Sequence, residues 1–225
     1  MGEVGAVIVA AGRSERMGGV DKLFAPLAGR PLLSHTLLAF EDAPYIDRVA
    51  VVASERNLAA VRALVAESRF ARVQAIVPGG ARRQDSVRAG LEALVGVELV
   101  VVHDGARPLV AADLVTRVVE AARASGAAIC AIPARDTVKE VDQGEILRTL
   151  DRGRLWLAQT PQAFRFDLLL EAHRAFEGEA TDDAAMVEAL GHTVRVVEGD
   201  PRNVKVTTPE DLRLLESLIR LRQGL

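Results

Sequence analysis

Apolar residues follow two rhythms along this chain. Short unbroken runs recur at Val4–Val9, Val49–Val52, Val73–Val77, Leu99–Val102, Ala127–Ile132 and Thr193–Val197. Runs of this length without polar alternation predict strands buried on both faces of a parallel sheet. Between several of them, apolar residues recur at helical spacing. Leu32, Leu33, Thr36, Leu37 and Phe40 form one stripe, and Leu58, Val61, Leu64 and Val65 a second. Val87, Leu91 and Leu94, then Leu114, Val115, Val118 and Ala122, continue the series. Strand and helix in alternation predict an α/β domain with a mainly parallel sheet and right-handed crossovers. No repeat, linker or low-complexity stretch interrupts the series, so one domain over residues 1–225 is expected.

The rhythm breaks over residues 135–152. Asp142-Gln143-Gly144-Glu145 is a turn signal, with Thr137, Val138 and Val141 before it and Ile146, Leu147 and Leu150 after it. A β-hairpin inserted into the α/β series is expected. Two strands alone are barely stable in water and present open edges, so these apolar side chains need a partner surface. The hairpin either folds back on its own subunit or embraces a second copy. The second is the expectation, because two-fold dimers are the commonest oligomers.

At 225 residues and 49% hydrophobic content the chain can bury a real core. Its net charge of −3 carries no separate basic block, which disfavours nucleic-acid and membrane-surface partners. No apolar run approaches a membrane span, and the N-terminal stretch lacks the basic start of a signal peptide. The single cysteine, Cys130, lies in an apolar run and is expected to be a small buried hydrophobe in a reducing cytoplasm. Of the 28 basic residues only Lys22, Lys139 and Lys205 are lysine. Such sparing use singles out positions where a compact ammonium on a flexible stem is wanted.

Five stretches carry candidate chemistry. Directly after the first run comes Ala10-Ala11-Gly12-Arg13-Ser14-Glu15-Arg16-Met17-Gly18-Gly19-Val20-Asp21-Lys22. Glycine lets backbone N–H groups close on an anion, and Arg13, Arg16 and Lys22 supply counter-charge, so this reads as a loop for nucleotide phosphates. It matches neither the Walker loop nor the dinucleotide fingerprint, and the alternative is a solvated strand-to-helix connection. Gly79-Gly80 lets a flat base approach the backbone, and Asp85-Ser86 opens a helix, where both residues serve equally well as N-terminal caps. His103-Asp104-Gly105-Ala106-Arg107-Pro108 ends a strand. There Asp104 can help hold a hydrated Mg²⁺ or contact a ribose, or simply pair with Arg107. Asn203-Val204-Lys205-Val206-Thr207 reads as a short strand before a helix start at Pro209, and Lys205 needs an anion if it points inward. Thr181-Asp182-Asp183 opens another helix. No histidine shows metal-ligand spacing.

Taken in order, these motifs resemble a known family. Ala10-Ala11-Gly12 with Arg16-Met17 and a following lysine is similar to the signature loop of sugar-phosphate nucleotidylyltransferases. Adding Gly79-Gly80, Asp85-Ser86-Val87, Val102–Pro108, Arg135-Asp136-Thr137, Thr160-Pro161-Gln162, Thr181-Asp182-Asp183 and Asn203–Thr207 narrows this. The chain then resembles the 2-C-methyl-D-erythritol 4-phosphate cytidylyltransferase family from its first strand to its last helix. The resemblance implies a Rossmann-like nucleotidyltransferase domain that joins methylerythritol phosphate to CTP and releases pyrophosphate, with Mg²⁺ or another divalent cation as cofactor.

It also implies roles for residues. Arg16, Lys22, Arg152 and Lys205 would be catalytic. Ala10, Ala11, Gly12, Gly79, Gly80, Asp85, Ser86, Asp104 and Gly105 would join Arg16 and Lys22 around the nucleotide, with Asp104 the metal contact. Arg107, Thr137, Thr160 and Thr181 would line the acceptor site with Arg152 and Lys205. Thr137 and Arg152 would reach the neighbour's site across a homodimer formed by the 135–152 arm. Ala81 stands where some relatives carry an acid, and Glu15 is expected to turn away from the triphosphate toward Arg13. The fused synthase domain of some relatives is not expected, since the chain closes on a helix over Pro209–Arg222. Two rival readings are a ribitol 5-phosphate cytidylyltransferase and a nucleotide-binding module without turnover.

Overall fold

The computed structural model describes residues 2–12 and 21–223. In chain order the elements are β1 (Val4–Ala10), β2 (Pro26–Leu27), β3 (Arg30–Pro31), α1 (Leu32–Asp42), β4 (Arg48–Ala53), α2 (Leu58–Ser68), β5 (Val73–Pro78), α3 (Arg83–Glu92), β6 (Leu99–Asp104) and α4 (Ala112–Ser125). They continue with β7 (Ala127–Pro133), β8 (Lys139–Asp142), β9 (Glu145–Thr149), β10 (Trp156–Arg165), α5 (Phe166–Ala175), α6 (Asp183–Ala189), β11 (Arg195–Glu198) and α7 (Pro209–Gln223).

Seven strands form one sheet in the order β11-β7-β10-β6-β1-β4-β5. All neighbours run parallel except β10, which lies antiparallel between β6 and β7. The apolar runs become strands because both faces are covered. On one side Ala6 and Ile8 of β1 share a buried cluster with Leu33 and Phe40 of α1, Val115 of α4 and Leu215 of α7. On the other, Val7 of β1 shares a buried cluster with Leu91 of α3, Leu169 of α5 and Val187 of α6. A strand sandwiched in this way has no reason to alternate, as its sequence shows. Pairing of Val9 with Asp104 and of Ala10 with Ala53 aligns the carboxyl ends of β6, β1 and β4, where α/β sheets place their ligands.

Three expectations need correction or adjustment. The longest strand, β10, was not among the predicted runs, because it buries Gln159, Thr160 and Gln162 and holds Pro161 at a register shift between Ala158 and Gln162. Proline and polar side chains hide a central strand from a hydrophobicity reading. The strand expected at Asn203–Thr207 is instead an irregular extended segment. Its hydrogen bonds go to separate places: Val206 N–H donates to the Ala106 carbonyl and Thr207 N–H to the Asp211 carboxylate. The last strand starts at Arg195 rather than Thr193.

The hairpin forms where its turn signal lies. β8 and β9 make a separate two-stranded sheet, and Gln143 and Gly144 both take positive φ, 48° and 89°, as a tight hairpin turn demands. Ile146 and Leu147 are 63% and 61% exposed. Among the described residues no helix is long and apolar enough to cross a membrane.

Candidate nucleotide and acceptor site

The first candidate loop leaves β1 at Ala10 and returns at Asp21. Arg13–Val20, and with them Arg16 and Glu15, lie outside the described residues. The two ends of the loop are fastened together by Asn57, a buried side chain just before α2. Its Nδ2 donates to the Ala10 carbonyl at 3.1 Å and to the Asp21 carboxylate at 2.8 Å. Asp21 in turn accepts from Leu23 N–H and caps the 3-10 turn Lys22–Phe24. Lys22 reaches from this turn to donate to the Val206 carbonyl at 2.9 Å, which sets it beside the segment that carries Lys205. Asn57 was not singled out from the sequence. Only its place behind the strand ends gives it this role.

The second glycine pair sits against the first loop. A Cβ on Gly79 would lie 2.6 Å from the Ala11 Cβ and 2.7 Å from Ser86 Oγ, so glycine is required for the two loops to approach. Ser86 Oγ accepts from Gly80 N–H and donates to the Arg82 carbonyl. The Asp85 carboxylate accepts from the Arg82 backbone and guanidinium, so the capping arrangement foreseen for this pair is present. The Arg82 guanidinium holds the Asp85 carboxyl down to about 2, although partial burial works against this.

The centre of the site is Asp104 at the carboxyl end of β6. Lys205 Nζ lies 3.0 Å and Arg107 Nε 3.4 Å from its Oδ2, while Arg83 Nε lies 3.6 Å from Oδ1. Burial alone would favour the neutral acid, but the charges of Lys205, Arg83 and Arg107 more than offset it and hold the carboxyl well below its usual range. The anion that an inward Lys205 requires is therefore Asp104. The backbone is fixed as firmly: Asp104 N–H donates to Thr160 Oγ1, Gly105 N–H to the Val9 carbonyl, and Thr36 Oγ1 to the Gly105 carbonyl. A Cβ at Gly105 would stand 3.1 Å from the Val9 carbonyl oxygen. His103 before it is buried, and Nε2–H donates to the Arg107 carbonyl, which tightens the turn.

Around Asp104 opens a cleft of about 250 Å³. Five of the predicted site residues line it: Asp104, Arg107, Thr160, Thr181 and Lys205. The buried Asn203 donates from Nδ2 to the Thr160 carbonyl, and its backbone carbonyl accepts from Arg107 Nη1. Residues given no site role from the sequence also reach the cleft, chiefly Arg83 and the motif residues Gln162 and Asp182. Gln162 Nε2 donates to Asp182 at 2.8 Å, and Asp182 caps α6 through Ala185 N–H. Lys22, Ala10, Ala11, Gly12, Gly79, Gly80, Asp85 and Ser86 lie outside the cleft lining, and of that second loop only Arg83 reaches it. Arg152 is set apart, exposed at the foot of the hairpin with Nη1 donating to the Arg135 carbonyl. Thr137, also exposed, precedes β8 and does not line the cleft.

Among the described residues no group of three or more histidine, cysteine, aspartate or glutamate side chains gathers to hold a metal. The Asp104 carboxylate already pairs with three cations, so a divalent cation beside it would have to displace one of those pairs and bring most of its ligands as phosphate oxygens and water. It does not suit a preformed protein cage.

This geometry agrees with what the chain is similar to. Residues 4–221 match the family model IspD, 2-C-methyl-D-erythritol 4-phosphate cytidylyltransferase. A protein of that name from Dehalococcoides mccartyi strain CBDB1 is 48% identical over 219 residues, covering 97% of this chain and 96% of the relative. The crystal structure of a 4-diphosphocytidyl-2C-methyl-D-erythritol synthase from Anaerococcus prevotii superposes with a TM-score of 0.86 at 29% identity, over 97% of this chain and 96% of that one. The crystal structure of the 2-C-methyl-D-erythritol 4-phosphate cytidylyltransferase from Thermus thermophilus gives 0.77 at 38% identity, over 95% and 98%. With matches that run from the first strand into the last helix, this chain belongs to the 2-C-methyl-D-erythritol 4-phosphate cytidylyltransferase family.

Proposed function

We propose that this enzyme transfers the cytidylyl group of CTP to 2-C-methyl-D-erythritol 4-phosphate, giving 4-diphosphocytidyl-2-C-methyl-D-erythritol and pyrophosphate in isoprenoid precursor synthesis. The observation that carries the reading is the cleft at the strand ends, where Lys205, Arg107 and Arg83 surround Asp104 within a full-length family match.

The acceptor is its own nucleophile. A phosphate monoester has a second pKa near 6 and is largely dianionic at neutral pH, so in-line attack on the α-phosphorus needs no protein base. The barrier lies in bringing two polyanions together and in stabilising charge on the reacting phosphorus and the leaving pyrophosphate, which is work for positioned cations. Lys22 and Arg16 are assigned to the triphosphate. Lys205 and Arg107 are assigned to the incoming phosphate, with Lys205 moving from Asp104 Oδ2 onto the anion. Thr160 and Thr181 are assigned to the polyol hydroxyls. The backbone of Ala10–Gly12 and the Gly79–Ser86 loop, together with Asp104 and Gly105, receive the nucleotide. Asp104 would also hold a divalent cation, Mg²⁺ beside a triphosphate, which when bound neutralises part of the phosphate charge.

Arg152 and Thr137 are assigned to the cleft of a second copy, reached through the hairpin. The exposed Val141, Ile146 and Leu147 of the hairpin, with Trp156 and Leu157 at the start of β10, support a two-fold dimer built through the hairpin. The enzyme is assigned to the cytoplasm, in keeping with its free buried Cys130.

Pyrophosphate release is the test. Purified enzyme with Mg²⁺ is offered CTP, UTP, ATP or GTP, each with methylerythritol phosphate or ribitol 5-phosphate. CTP with methylerythritol phosphate is expected to give the highest kcat/KM. Preference for ribitol 5-phosphate, or no pyrophosphate from any pair, overturns the assignment.

A further inference from the structure

We propose that Arg83 is a positioning residue for this reaction, tying the Asp104 carboxylate to the start of α6 so that it keeps one orientation while Lys205 exchanges it for substrate. The proposal rests on the cytidylyl transfer assigned to this cleft.

Arg83 is the first residue of α3 and its side chain reaches into the cleft. The guanidinium is shared between two acids from different elements. Nη1 stands 2.7 Å from Asp183 Oδ2 and Nε 3.6 Å from Asp104 Oδ1. Asp183 is fully buried, and its other oxygen lies 3.1 Å from Nε2 of the buried His173. The Arg83–Asp183 pair is thus a rigid anchor below the cleft, and the reach toward Asp104 projects from it.

The two oxygens of Asp104 therefore have separate duties. Oδ2 meets Lys205 and Arg107, the cations assigned to the incoming phosphate, and Oδ1 meets Arg83 alone among the ion pairs of the described residues. The terminal torsion of an aspartate is soft, so a carboxylate held only through Oδ2 turns with whatever Lys205 does. A second charge on Oδ1 removes that freedom. The same link fixes Asp104 against the wall of the acceptor side, because Asp182 and Thr181 directly precede Asp183. Arginine is required for this: its planar fork spans two acceptors, whereas a lysine ammonium has the charge without the span.

Removing the charge outright would leave Asp183 buried without its cation and unsettle the fold whatever the role of Arg83. The informative variant is Arg83→Lys, which keeps a cation beside Asp183 and gives up the reach to Asp104. It is combined with Asp104→Asn in a double-mutant cycle, read as kcat/KM for pyrophosphate release and as Kd for Mg-CTP by calorimetry. In the wild-type background Arg83→Lys is expected to lower kcat/KM about tenfold, and in the Asp104→Asn background by less than about threefold, the non-additivity of residues acting through one another. A melting temperature close to that of the wild type shows that the loss is not one of folding.

Equal losses in both backgrounds, or no loss in either, overturn the proposal. If Arg83→Lys does not fold, Arg83→Gln combined with Asp183→Asn replaces it in the cycle, since the buried pair is then removed as a whole and the reach to Asp104 with it, and the same dependence on Asp104 is expected. Wild-type enzyme that fails to release pyrophosphate contradicts the assigned reaction instead. In that event the calorimetric cycle still decides the role of Arg83, with multiplicative effects on Kd counting against it.

Discussion

The cleft and the hairpin are assembled in opposite ways. The cleft draws Arg83, Asp104, Thr160, Thr181 and Lys205 from widely separated parts of the chain and packs their charges into a nearly closed network. The hairpin is made from a single local stretch and leaves its apolar side chains in water, with Ile146 and Leu147 more than half exposed. One region is complete in its internal contacts and the other is not. The difference teaches that charge at this site is pre-organised within a subunit, and that completion of the site is assigned to contact between subunits.

Removing the two lysines assigned to the phosphates gives the largest expected effect. Lys22→Ala and Lys205→Ala should each lower kcat by at least about a hundredfold, the scale for loss of a major electrostatic stabiliser. Steady-state kinetics checks this, and loss of less than about threefold in both contradicts the role given to these lysines. Next comes the hairpin. Ile146→Asp combined with Leu147→Asp should turn a dimer into a monomer by light scattering and lower kcat at least about tenfold, because Arg152 no longer reaches a second cleft. Circular dichroism is expected to show the fold intact, since these side chains pack on no core of their own.

A smaller effect concerns stability and pH. Burial pushes the His103 imidazole from its ordinary 6.5 down to about 3. The unfolded chain therefore takes up a proton near 6.5 that the folded one refuses until about 3, so this contribution to stability is full above 6.5 and falls away as pH drops between those values. Urea unfolding at pH 7 and pH 5 should differ by about 2 kcal/mol from this group, and His103→Asn should remove that difference. The depressed carboxyls of Asp104 and Asp183 act in the same direction, but only below the ordinary carboxylate range. The smallest expected effect is Asn57→Ala, which unfastens the two ends of the nucleotide loop. A loss of about 1–2 kcal/mol in thermal stability and a severalfold rise in KM for CTP are expected. An unchanged KM would separate Asn57 from nucleotide binding.

The same contrast explains what could be read from the chain beforehand. The parallel strands β1, β4, β5, β6 and β7 and the helices α1 to α4 were legible because each repeats one apolar period. The hairpin was legible because Gln143-Gly144 is a local turn signal. The strand β10 was not, since Gln159, Thr160 and Gln162 are polar in the middle of the sheet for the sake of the cleft. Asp104, Arg107, Thr160, Thr181 and Lys205 were found as motif residues, and the structure brings them together. Arg83, Asn57 and Gln162 act through partners that are distant in sequence, at Asp183, Asp21 and Asp182, and no local pattern marks such pairs. Around Ala81 the Asp85–Arg82 pairing holds the shape of the Gly79–Ser86 loop.

The most direct test joins the two regions. Lys22→Ala and Arg152→Ala subunits, carrying different affinity tags, are co-expressed and the mixed dimer is isolated by sequential purification. If the arm of one chain completes the cleft of the other, one of the two sites in the mixed dimer regains both Lys22 and Arg152, and activity should return to about half that of the wild-type dimer while both parent dimers stay inactive. A mixed dimer as inactive as its parents would contradict a cleft shared between subunits.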